Sequence, residues 1–492
     1  MILSEIEFLF FLPVVFLAHW LLPRRAAWQN VFLLAASYAF YITWNVRLLP
    51  LLLVATLVDY RVGIEISARS GEDPEGRRRR RWLLALSLTV NLGTLAFFKY
   101  SGFFAESLNA LLTSLGLQPS LPVVRMLLPL GLSYYSLQKL GYILDVYQGR
   151  QPPCRSLLQF ALFTAFFPQL IAGPISRAER LLPQLAEPRQ LDPARLRSGA
   201  ATFLAGFAQK AYVADYLGRS VVDPIFHGAS AYSVAGHWIG LVGYAFQVFC
   251  DFAGYSLMAI GCARLFAIEL PTNFTTPFLS RSLFDFWRRW HITLNMWLFE
   301  YIYTPLTTSR GFFRGRFDAA LLITFLVSGL WHGATASFAV WGIAQGVGMV
   351  VVRRWDELYR GLCRRDRTWV AVRRSPWYQA AAWMLTQGFF VLTLVPFRAP
   401  SFDAALVYLR GLVSSTGDKM PDLLAMKSAY NLLFCALFLV AYHLALTEEG
   451  KPLRERFLAL PAPVRGFAYG VVVVVLCLVM PAGAGAFIYG QF

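Results

Sequence analysis

The sequence predicts an all-α protein that crosses a membrane several times. Hydrophobic residues make up 57% of its 492 residues and charged residues only 15%, a balance too apolar for a soluble domain of this size. Apolar runs recur along the whole chain, and a helix needs about 20 such residues to cross the hydrocarbon core of a bilayer. Lysine and arginine are confined to short segments between these runs, as in multi-pass membrane proteins.

The apolar runs give the expected helices in chain order. They cover residues 8–22, 31–46, 82–98, 157–175, 321–352, 380–395, 432–446 and 470–488. The first run follows Glu5 and Glu7, without basic residues ahead of it or a small-residue cleavage site after it, so we expect a retained helix and not a signal peptide. Several runs are short or contain glycine and proline, which predicts about ten or more helices, some of them broken or re-entrant. No linker or fixed-period repeat divides the chain, so residues 1–492 should form a single multi-spanning domain.

The positive charge predicts how the chain is oriented in a membrane. The net charge is +17, but the basic residues lie in short segments between apolar runs, so the expected partner is a lipid bilayer and not nucleic acid. Segments of this kind face the cytoplasm, which places both termini on the opposite side of the membrane. The segments are residues 24–25, 77–81, 177–197, 310–316, 353–374 and 451–456.

Residues 317–352 should form a helical hairpin with a histidine at its tip. Basic segments flank this run of about 36 residues on both sides, so the chain must go out and return. The break is expected between Ser328 and Gly333, where glycines and a serine interrupt the run. His332 then lies at the tip. An ionisable side chain at membrane depth is a functional-site candidate by default, with a structural hydrogen bond as the alternative.

A second histidine lies in an aromatic segment that we interpret as one helix with two adjacent arginines. At helical spacing, one face of this helix carries Trp287, His291, Leu294, Asn295 and Leu298. This face is apolar except for His291 and Asn295, which favours a pore-lining role for these two residues. For the tryptophans and arginines alone, an interfacial helix with a tryptophan belt is the competing interpretation.

The two histidines suit acyl transfer to a hydroxyl. A neutral imidazole can take a proton from an alcohol as the alcohol attacks an acyl carbonyl. The sequence has no Gly-x-Ser-x-Gly motif and no cysteine next to the histidine of the hairpin, so it gives little support to a covalent acyl-enzyme. Carboxylates and cysteines are missing at ligand spacing from both histidines, so we expect no bound metal or cofactor. The alternative from another class is a transporter whose histidines line the transport path. The sequence contains no glycine-rich phosphate loop, which argues against an ATP-driven pump.

Five motifs occur in order through the middle half of the chain. They are Phe167-Pro-Gln-Leu-Ile-Ala-Gly-Pro-Ile175, Asp251-Phe-Ala-Gly-Tyr-Ser256, Asn273-Phe274 with Pro277, Asp285-Phe-Trp-Arg-Arg-Trp-His-Ile292 and Gly329-Leu-Trp-His-Gly333. With these motifs the chain resembles the membrane-bound O-acyltransferases. Within that family it resembles the bacterial branch that contains alginate O-acetyltransferase and the teichoic-acid D-alanyl transfer protein. The ordered set is specific, whereas Trp-His-Gly alone is not.

The resemblance implies a fold, a reaction and two catalytic residues. The fold is helical and surrounds a tunnel through the membrane, which an acyl thioester enters from the cytoplasm and an acceptor hydroxyl from outside. The family's invariant histidine corresponds to His332, which is expected to act as general base or to position the hydroxyl. The family's second histidine corresponds to His291, which is expected to orient or polarise the thioester. Asn295 and Trp331 are further candidates for substrate binding.

Three charged residues in these motifs have two interpretations each. Arg288 and Arg289 either meet the phosphates of the donor or extend to solvent and lipid headgroups. Asp251 either lines the tunnel or pairs with a neighbouring arginine. All three are therefore candidates for donor or substrate binding, with an ordinary structural role as the alternative.

Details of the motifs divide between two subfamilies. The amino-terminal pattern from Phe8 to Pro13 looks like the alginate branch, whereas Leu257 stands where that branch usually has aspartate. The first hypothesis is transfer of an acetyl group from acetyl-CoA to an exported polysaccharide or to a periplasmic relay protein. The alternative within the family is D-alanyl transfer from a carrier protein toward the cell envelope.

Overall fold

The computed structural model describes residues 1–69, 73–117, 129–421, 435 and 451–479. In these residues the regular secondary structure is helical, apart from one isolated β-bridge between Tyr232 and Lys419. The prediction of an all-α chain is confirmed. The described residues fall into two compact units, the first with Met1–Phe203 and Tyr255–Pro271, the second with Leu204–Gly254 and the residues from Thr272 onward. The expectation of a single domain over residues 1–492 stays a prediction.

The described residues form the following α-helices, several of which begin at a residue whose side chain caps the first turn. They are α1 (Ile6–Leu21), α2 (Ala26–Ile42), α3 (Leu49–Ser67), α4 (Pro74–Ser114), α5 (Leu132–Tyr147), α6 (Leu157–Ala165), α7 (Phe167–Leu170), α8 (Ala178–Ala186), α9 (Pro193–Phe207), α10 (Asp215–Leu217), α11 (Asp223–His227), α12 (Val234–Leu265), α13 (Leu283–Trp287), α14 (Ile292–Leu298), α15 (Thr304–Thr308), α16 (Phe317–His332), α17 (Ala336–Arg365), α18 (Thr368–Arg374), α19 (Pro376–Arg398), α20 (Phe402–Gly411), α21 (Lys451–Ala459) and α22 (Ala462–Val479). Asp73 accepts a hydrogen bond from the Gly76 N–H at the start of α4, and Ser375 accepts one from the Tyr378 N–H at the start of α19. Proline occupies the first turn of both helices, where its missing N–H costs nothing.

Four described helices, α4, α12, α17 and α19, are long and apolar enough to cross a membrane. The helices α1 and α16 are also apolar but shorter. Three of these elements, α4, α19 and the α16–α17 pair, contain the predicted runs at residues 82–98, 380–395 and 321–352. The predicted run at 432–446, apart from residue 435, and the part of the predicted run at 470–488 beyond residue 479 lie outside the described residues.

The predicted hairpin is confirmed, but its break lies later than expected. The helix α16 continues to His332 and α17 begins at Ala336, so the break comprises residues 333–335. The prediction of a break beginning at Ser328 is wrong. His332 nevertheless lies at the tip, as the last residue of α16.

Glycine explains why the break moved. A Cβ atom at Gly329 would overlap the carbonyl oxygen of Phe338, and one at Gly342 would lie 2.5 Å from the carbonyl oxygen of Phe325. Lipid supplies no hydrophobic force for the association of two membrane helices, so they associate through close packing. Small residues allow that packing because they let the two backbones come together. These glycines therefore serve helix packing and remain inside their helices.

Ion pairs join the two helices of the hairpin at the end away from His332. Asp318 in the first turn of α16 pairs with Arg353 and with Arg354 of α17. A carboxylate in the first turn of a helix is also favoured by the helix dipole. The hairpin is thus fixed at one end by charge and near its tip by close backbone contact.

We predict that Gly342→Ala lowers the stability of the protein by about 1 to 3 kcal/mol, because the added methyl group meets backbone that cannot move away. The matched control is Gly388→Ala in α19, where a Cβ atom would meet nothing within 4 Å. Alanine has the higher helix propensity, so the control should be neutral or stabilising. Thermal unfolding of both variants in detergent measures the difference, and equal unfolding temperatures would contradict the packing role of Gly342.

A buried ion pair joins three helices in the first unit. The Nζ atom of Lys139 in α5 lies 3.2 Å from Oδ2 of Asp59 in α3, and both side chains are fully buried. From α4, Ser87 donates a hydrogen bond of 2.5 Å and Asn91 one of 2.8 Å to the same carboxylate. Buried charges of this kind need partners, because desolvation of an isolated charge costs several kcal/mol. None of these four residues belongs to a motif of the sequence.

We predict that Lys139→Met destabilises the protein by roughly 3 to 5 kcal/mol, because it leaves the Asp59 carboxylate without its counter-charge. The double variant Asp59→Asn with Lys139→Met removes both charges and should recover most of the loss. Thermal unfolding in detergent compares the two proteins. A double variant no more stable than the single one would show that charge compensation is not the reason for the pair.

Candidate active site

His332 lies in an aromatic cluster at the tip of the hairpin. Its side chain is buried, with only 5% of its surface exposed. The ring centroids of Trp331, Trp341 and Phe397 lie 4.9, 5.2 and 5.3 Å from the centroid of the imidazole, all in edge-to-face geometry. Edge-to-face contacts are favourable between aromatic rings and leave little freedom to rotate. Residues from α16, α17 and α19 therefore fix the orientation of the His332 ring together.

The segment with the second histidine is a helix–turn–helix, so the prediction of one continuous aromatic helix is wrong. The chain leaves α13 and enters α14 through a turn that pairs with an upstream segment. The N–H of Ile292 donates to the carbonyl oxygen of Asn273 (2.9 Å), and the N–H of Thr275 donates to that of Arg289 (3.0 Å). A continuous helix would need these backbone groups of residues 289 and 292 for its own hydrogen bonds. The periodicity of the segment does not indicate the hydrogen bonds to the upstream segment.

His291 occupies this turn in a strained backbone conformation. Its φ of 45° and ψ of 52° lie in the left-handed region, which is unusual for a residue other than glycine. The side chain of Asn295 holds the turn, since its Nδ2 donates to the carbonyl oxygens of Trp290 (2.6 Å) and His291 (3.1 Å). Strain of this kind costs on the order of 1 to 3 kcal/mol and concentrates at functional sites. The shared helical face predicted for His291 and Asn295 does not form.

The imidazole of His291 is held by a buried polar cluster. Its Nδ1 lies 3.1 Å from Oδ1 of Asn273, and the same oxygen accepts hydrogen bonds from the N–H (3.3 Å) and the hydroxyl (2.9 Å) of Thr293. His291 is outside the candidate membrane spans, and burial lowers the pKa of its imidazole to about 3. Its Nε2 makes no hydrogen bond to any residue that the structure describes.

Trp331 brings the two histidines into one site. Its indole ring lies 4.9 Å from the His332 ring and 6.0 Å from the His291 ring, centroid to centroid. Both predicted catalytic residues and the predicted binding residue Trp331 thus share one buried cluster in the second unit. Nothing in the sequence spacing of 41 residues between the histidines requires this proximity.

A cavity of about 520 Å³ borders this cluster. Its lining includes Arg288, Asn295 and Trp287 with apolar side chains of α14, α16 and α17. The Trp287 ring lies 6.0 Å from that of Trp341, which contacts His332. The indole N–H groups of Trp287 and Trp341 are buried and donate no hydrogen bond within the described residues. The cavity therefore adjoins the aromatic cluster through Trp287, which lines the cavity and contacts Trp341.

The two adjacent arginines have different surroundings. Arg289 forms an ion pair with Asp285 (2.9 Å) and donates to the hydroxyl of Thr276 (3.0 Å), which fixes the turn. Arg288 is exposed, lines the cavity and forms no ion pair within the described part of the chain. Arg289 therefore stabilises the turn, whereas the guanidinium of Arg288 has no carboxylate partner among the described residues.

Asp251 forms a buried ion pair behind the site. Its Oδ1 lies 2.7 Å from the Nζ of Lys210, which also lies 2.6 Å from Oδ1 of Asp215. Asp251 therefore pairs with a basic residue, as one of its two interpretations predicted, but that residue is a lysine and not an arginine. The next residue, Phe252, contacts the His291 ring edge-on at 4.6 Å between centroids. The ion pair of Asp251 thus lies next in sequence to a residue that contacts His291.

Comparisons with known proteins identify the family. The sequence profile described as MBOAT, membrane-bound O-acyltransferase family, matches residues 150–395. The probable alginate O-acetylase AlgI of Azotobacter vinelandii is 36% identical over 447 residues, which cover 90% of this chain and 83% of the relative. The chain belongs to the membrane-bound O-acyltransferase family.

Other relatives of this O-acyltransferase are named for different acceptors. Peptidoglycan O-acetyltransferase of Helicobacter pylori is 33% identical over 83% of this chain and 78% of its own length. Teichoic acid D-alanyltransferase of Streptococcus thermophilus is 29% identical over 54% of this chain and 68% of its own length. Membership of the family makes the protein a multi-pass membrane enzyme that transfers acyl groups to oxygen. The transporter alternative, which rested on hydropathy, is therefore set aside.

Several residues of the acyltransferase site were not assigned a role from the sequence. Lys210 could have been noticed as a lone cation within an apolar stretch, where charges are costly. Asn273 belongs to a recognised motif, but the motif does not say which side chain it contacts. Thr293, Trp341 and Phe397 carry no sequence signal that separates them from ordinary core residues.

Proposed function

We propose that this O-acyltransferase moves an acetyl group from a cytoplasmic thioester, acetyl-CoA, to a hydroxyl of an exported polysaccharide or of a periplasmic relay protein. The main support is the buried cluster in which His291 and His332 both contact Trp331. The relatives that match more than four-fifths of this chain include proteins named as an alginate O-acetylase and a peptidoglycan O-acetyltransferase. The teichoic acid D-alanyltransferase matches only 54% of it, which favours the acetyl donor.

The reaction requires proton transfer and stabilisation of a developing oxyanion. The hydroxyl oxygen attacks the thioester carbonyl carbon, a carbon–oxygen bond forms, the carbon–sulfur bond breaks, and the hydroxyl proton ends on the leaving thiolate. The family resemblance assigns the base to His332. The buried indole N–H groups of Trp287 and Trp341 are candidate donors to the carbonyl oxygen, since preorganised donors in a water-poor site stabilise an oxyanion strongly.

The donor is proposed to enter from the cytoplasm, and the enzyme to lie in the bacterial inner membrane. The basic segments, which include residues 310–316 and 353–374, are expected to face the cytoplasm, and the amino terminus the other side. The carboxy terminus is expected there too, although Phe492 lies outside the described residues. No bound metal or cofactor enters the proposed reaction, and its substrates are the acyl thioester and the hydroxyl acceptor.

We predict that His332→Ala lowers acetyl transfer by about 100-fold or more, because general acid–base catalysis typically contributes that much. The assay supplies labelled acetyl-CoA to membranes and measures labelled polysaccharide. The matched control is His227→Ala, which changes an exposed histidine of α11 and should leave the rate unchanged. Normal O-acetylation by His332→Ala, in cells where deletion of the gene abolishes it, would contradict the proposal.

We also predict that Arg288→Gln raises KM for acetyl-CoA by about 5- to 30-fold with little change in kcat, because an unpaired cation in the cavity can bind a phosphate of the donor. The control Arg314→Gln changes an exposed arginine outside the cavity and should have no effect.

The same membranes supplied with a labelled D-alanyl carrier test the other donor. Transfer of D-alanine without transfer of acetate would replace the acetyl proposal with the D-alanyl alternative.

A further inference from the structure

We propose that Arg189 and His19 form a binding site for a phosphate group, which an anionic phospholipid supplies at the cytoplasmic face of the membrane. Both residues are buried and belong to the first unit, whereas the histidines of the candidate active site belong to the second. Acyl transfer plays no part in this binding, so the inference goes beyond the proposed function.

Arg189 is buried although its neighbours in sequence are exposed. Only 4% of the residue is exposed, whereas Pro188 and Gln190 on either side of it face the solvent. Burial lowers the pKa of the Arg189 guanidinium to about 10, so the group keeps its positive charge at neutral pH. A basic side chain of a surface segment is therefore held inside the protein together with its charge.

Two amides at the start of α2 hold Arg189 in this position. The backbone N–H of Arg189 donates to Oε1 of Gln29 (2.8 Å), and Nε2 of Gln29 donates to the carbonyl oxygen of Arg189 (3.0 Å). The Nη2 of Arg189 donates to Oδ1 of Asn30 (2.8 Å), and Nδ2 of Asn30 donates to the carbonyl oxygen of Leu185 (2.7 Å). These bonds fix both the main chain and the guanidinium, so the site is preorganised for a ligand.

The charge of Arg189 has no counter-charge among the described residues. The buried cations Lys139 and Lys210 lie 3.2 and 2.6 Å from carboxylate oxygens, whereas the partner of the Arg189 guanidinium is the neutral amide of Asn30. Its Nε and Nη1 are buried and donate no hydrogen bond within the described part of the chain. A buried charge without a counter-charge is strongly unfavourable. A bound anion would compensate Arg189 as the carboxylates compensate the two lysines.

His19 adds a hydrogen-bond donor at the same place. It is fully buried near the end of α1, and neither of its ring nitrogens forms a hydrogen bond with a described residue. The Arg189 guanidinium acts electrostatically on the His19 ring, which also contacts Phe32 of α2 at 6.2 Å between centroids. A neutral imidazole carries one N–H, which can donate to a phosphate oxygen. The positive charge of Arg189 favours an anion here and disfavours a metal cation.

The surroundings favour a lipid as the source of the phosphate. Exposed arginines at residues 24–25 follow α1, and Trp28 is exposed in the first turn of α2, a combination typical of the headgroup level of a membrane. Basic pockets between membrane helices on the cytoplasmic side bind the headgroups of anionic lipids. Leu17 and Leu21 of α1 are exposed and offer apolar surface to the acyl chains. A free phosphate ion would gain nothing from that surface.

The experiment measures binding of phosphatidylglycerol to the purified full-length protein in neutral detergent, by native mass spectrometry and by thermal unfolding. Phosphatidylglycerol should raise the unfolding temperature of the wild type by about 2 to 5 °C. Phosphatidylcholine, whose choline cancels the phosphate charge, and inorganic phosphate should each give a much smaller gain. Arg189→Gln should weaken the binding of phosphatidylglycerol roughly 10- to 100-fold, because it removes the charged donor.

The control variants separate lipid binding from a structural role. Arg197→Gln removes the same charge from an exposed position of the same basic segment and should leave the affinity within about twofold. Arg189→Lys keeps the charge and should bind phosphatidylglycerol more tightly than Arg189→Gln. A structural role alone would lower the unfolding temperature of Arg189→Gln equally with and without lipid, whereas the proposed site predicts a loss only when phosphatidylglycerol is present.

His19→Leu provides a second test at the other side of the site. It removes one neutral donor and should weaken the binding of phosphatidylglycerol by about 3- to 10-fold. If Arg189→Gln fails to fold, this variant carries the test, and wild-type affinity of His19→Leu would then overturn the inference.

Three further results would overturn the inference. One is equal affinity of Arg189→Gln and the wild type for phosphatidylglycerol. Another is equal stabilisation of the wild type by phosphatidylcholine, which would show that the site does not select an anion. The third is equal stabilisation by inorganic phosphate, which would make the ligand a free ion and not a lipid. None of these measurements involves acyl transfer, so the proposed function stands or falls separately.

Discussion

The close contact between α16 and α17 is the constraint on which the position of the site depends. Lipid is as apolar as the helices, so two membrane helices associate through backbone proximity and polar contacts and not through the hydrophobic effect. That proximity is possible because α16 has Gly329 three residues before the tip of the hairpin and α17 has Gly342 six residues after its start. Trp341, beside Gly342, then reaches the His332 ring. A bulkier residue at either glycine would separate the histidine from the wall that orients it.

In the described residues, two groups of buried charged side chains pair with one another. Asp59 with Lys139 serves the first unit, and Lys210 with Asp251 and Asp215 serves the second. Each cluster joins segments that are distant in sequence, and loss of Lys139 or of Lys210 would leave buried carboxylates without their counter-charge. The second cluster lies one residue from Phe252, which contacts His291. Stability and site geometry therefore depend on the same charges in that part of the acyltransferase.

Hydropathy and charge along the chain predicted the fold class, the hairpin and the place of His332 at its tip, because these properties depend on the composition of single segments. The continuous helix around His291 could not be corrected from the sequence. Its interruption depends on backbone bonds to Asn273 and Thr275, which periodicity does not encode. The break placed at Ser328 was wrong for a related reason, since glycine signals a turn in one context and helix packing in another. Lys210 as the partner of Asp251 likewise required the folded chain.

The left-handed backbone of His291 limits which amino acids the position can accept. Glycine adopts this conformation freely and asparagine, aspartate and histidine more often than other residues, while β-branched residues do so poorly. Glutamate, whose carboxylate could take the place of the imidazole, would have to adopt the same backbone conformation. Here the main chain opposes that replacement before any question of reactivity arises. For trapping a bound substrate on an inactive enzyme, asparagine is consequently a better replacement than alanine, because it leaves the turn intact.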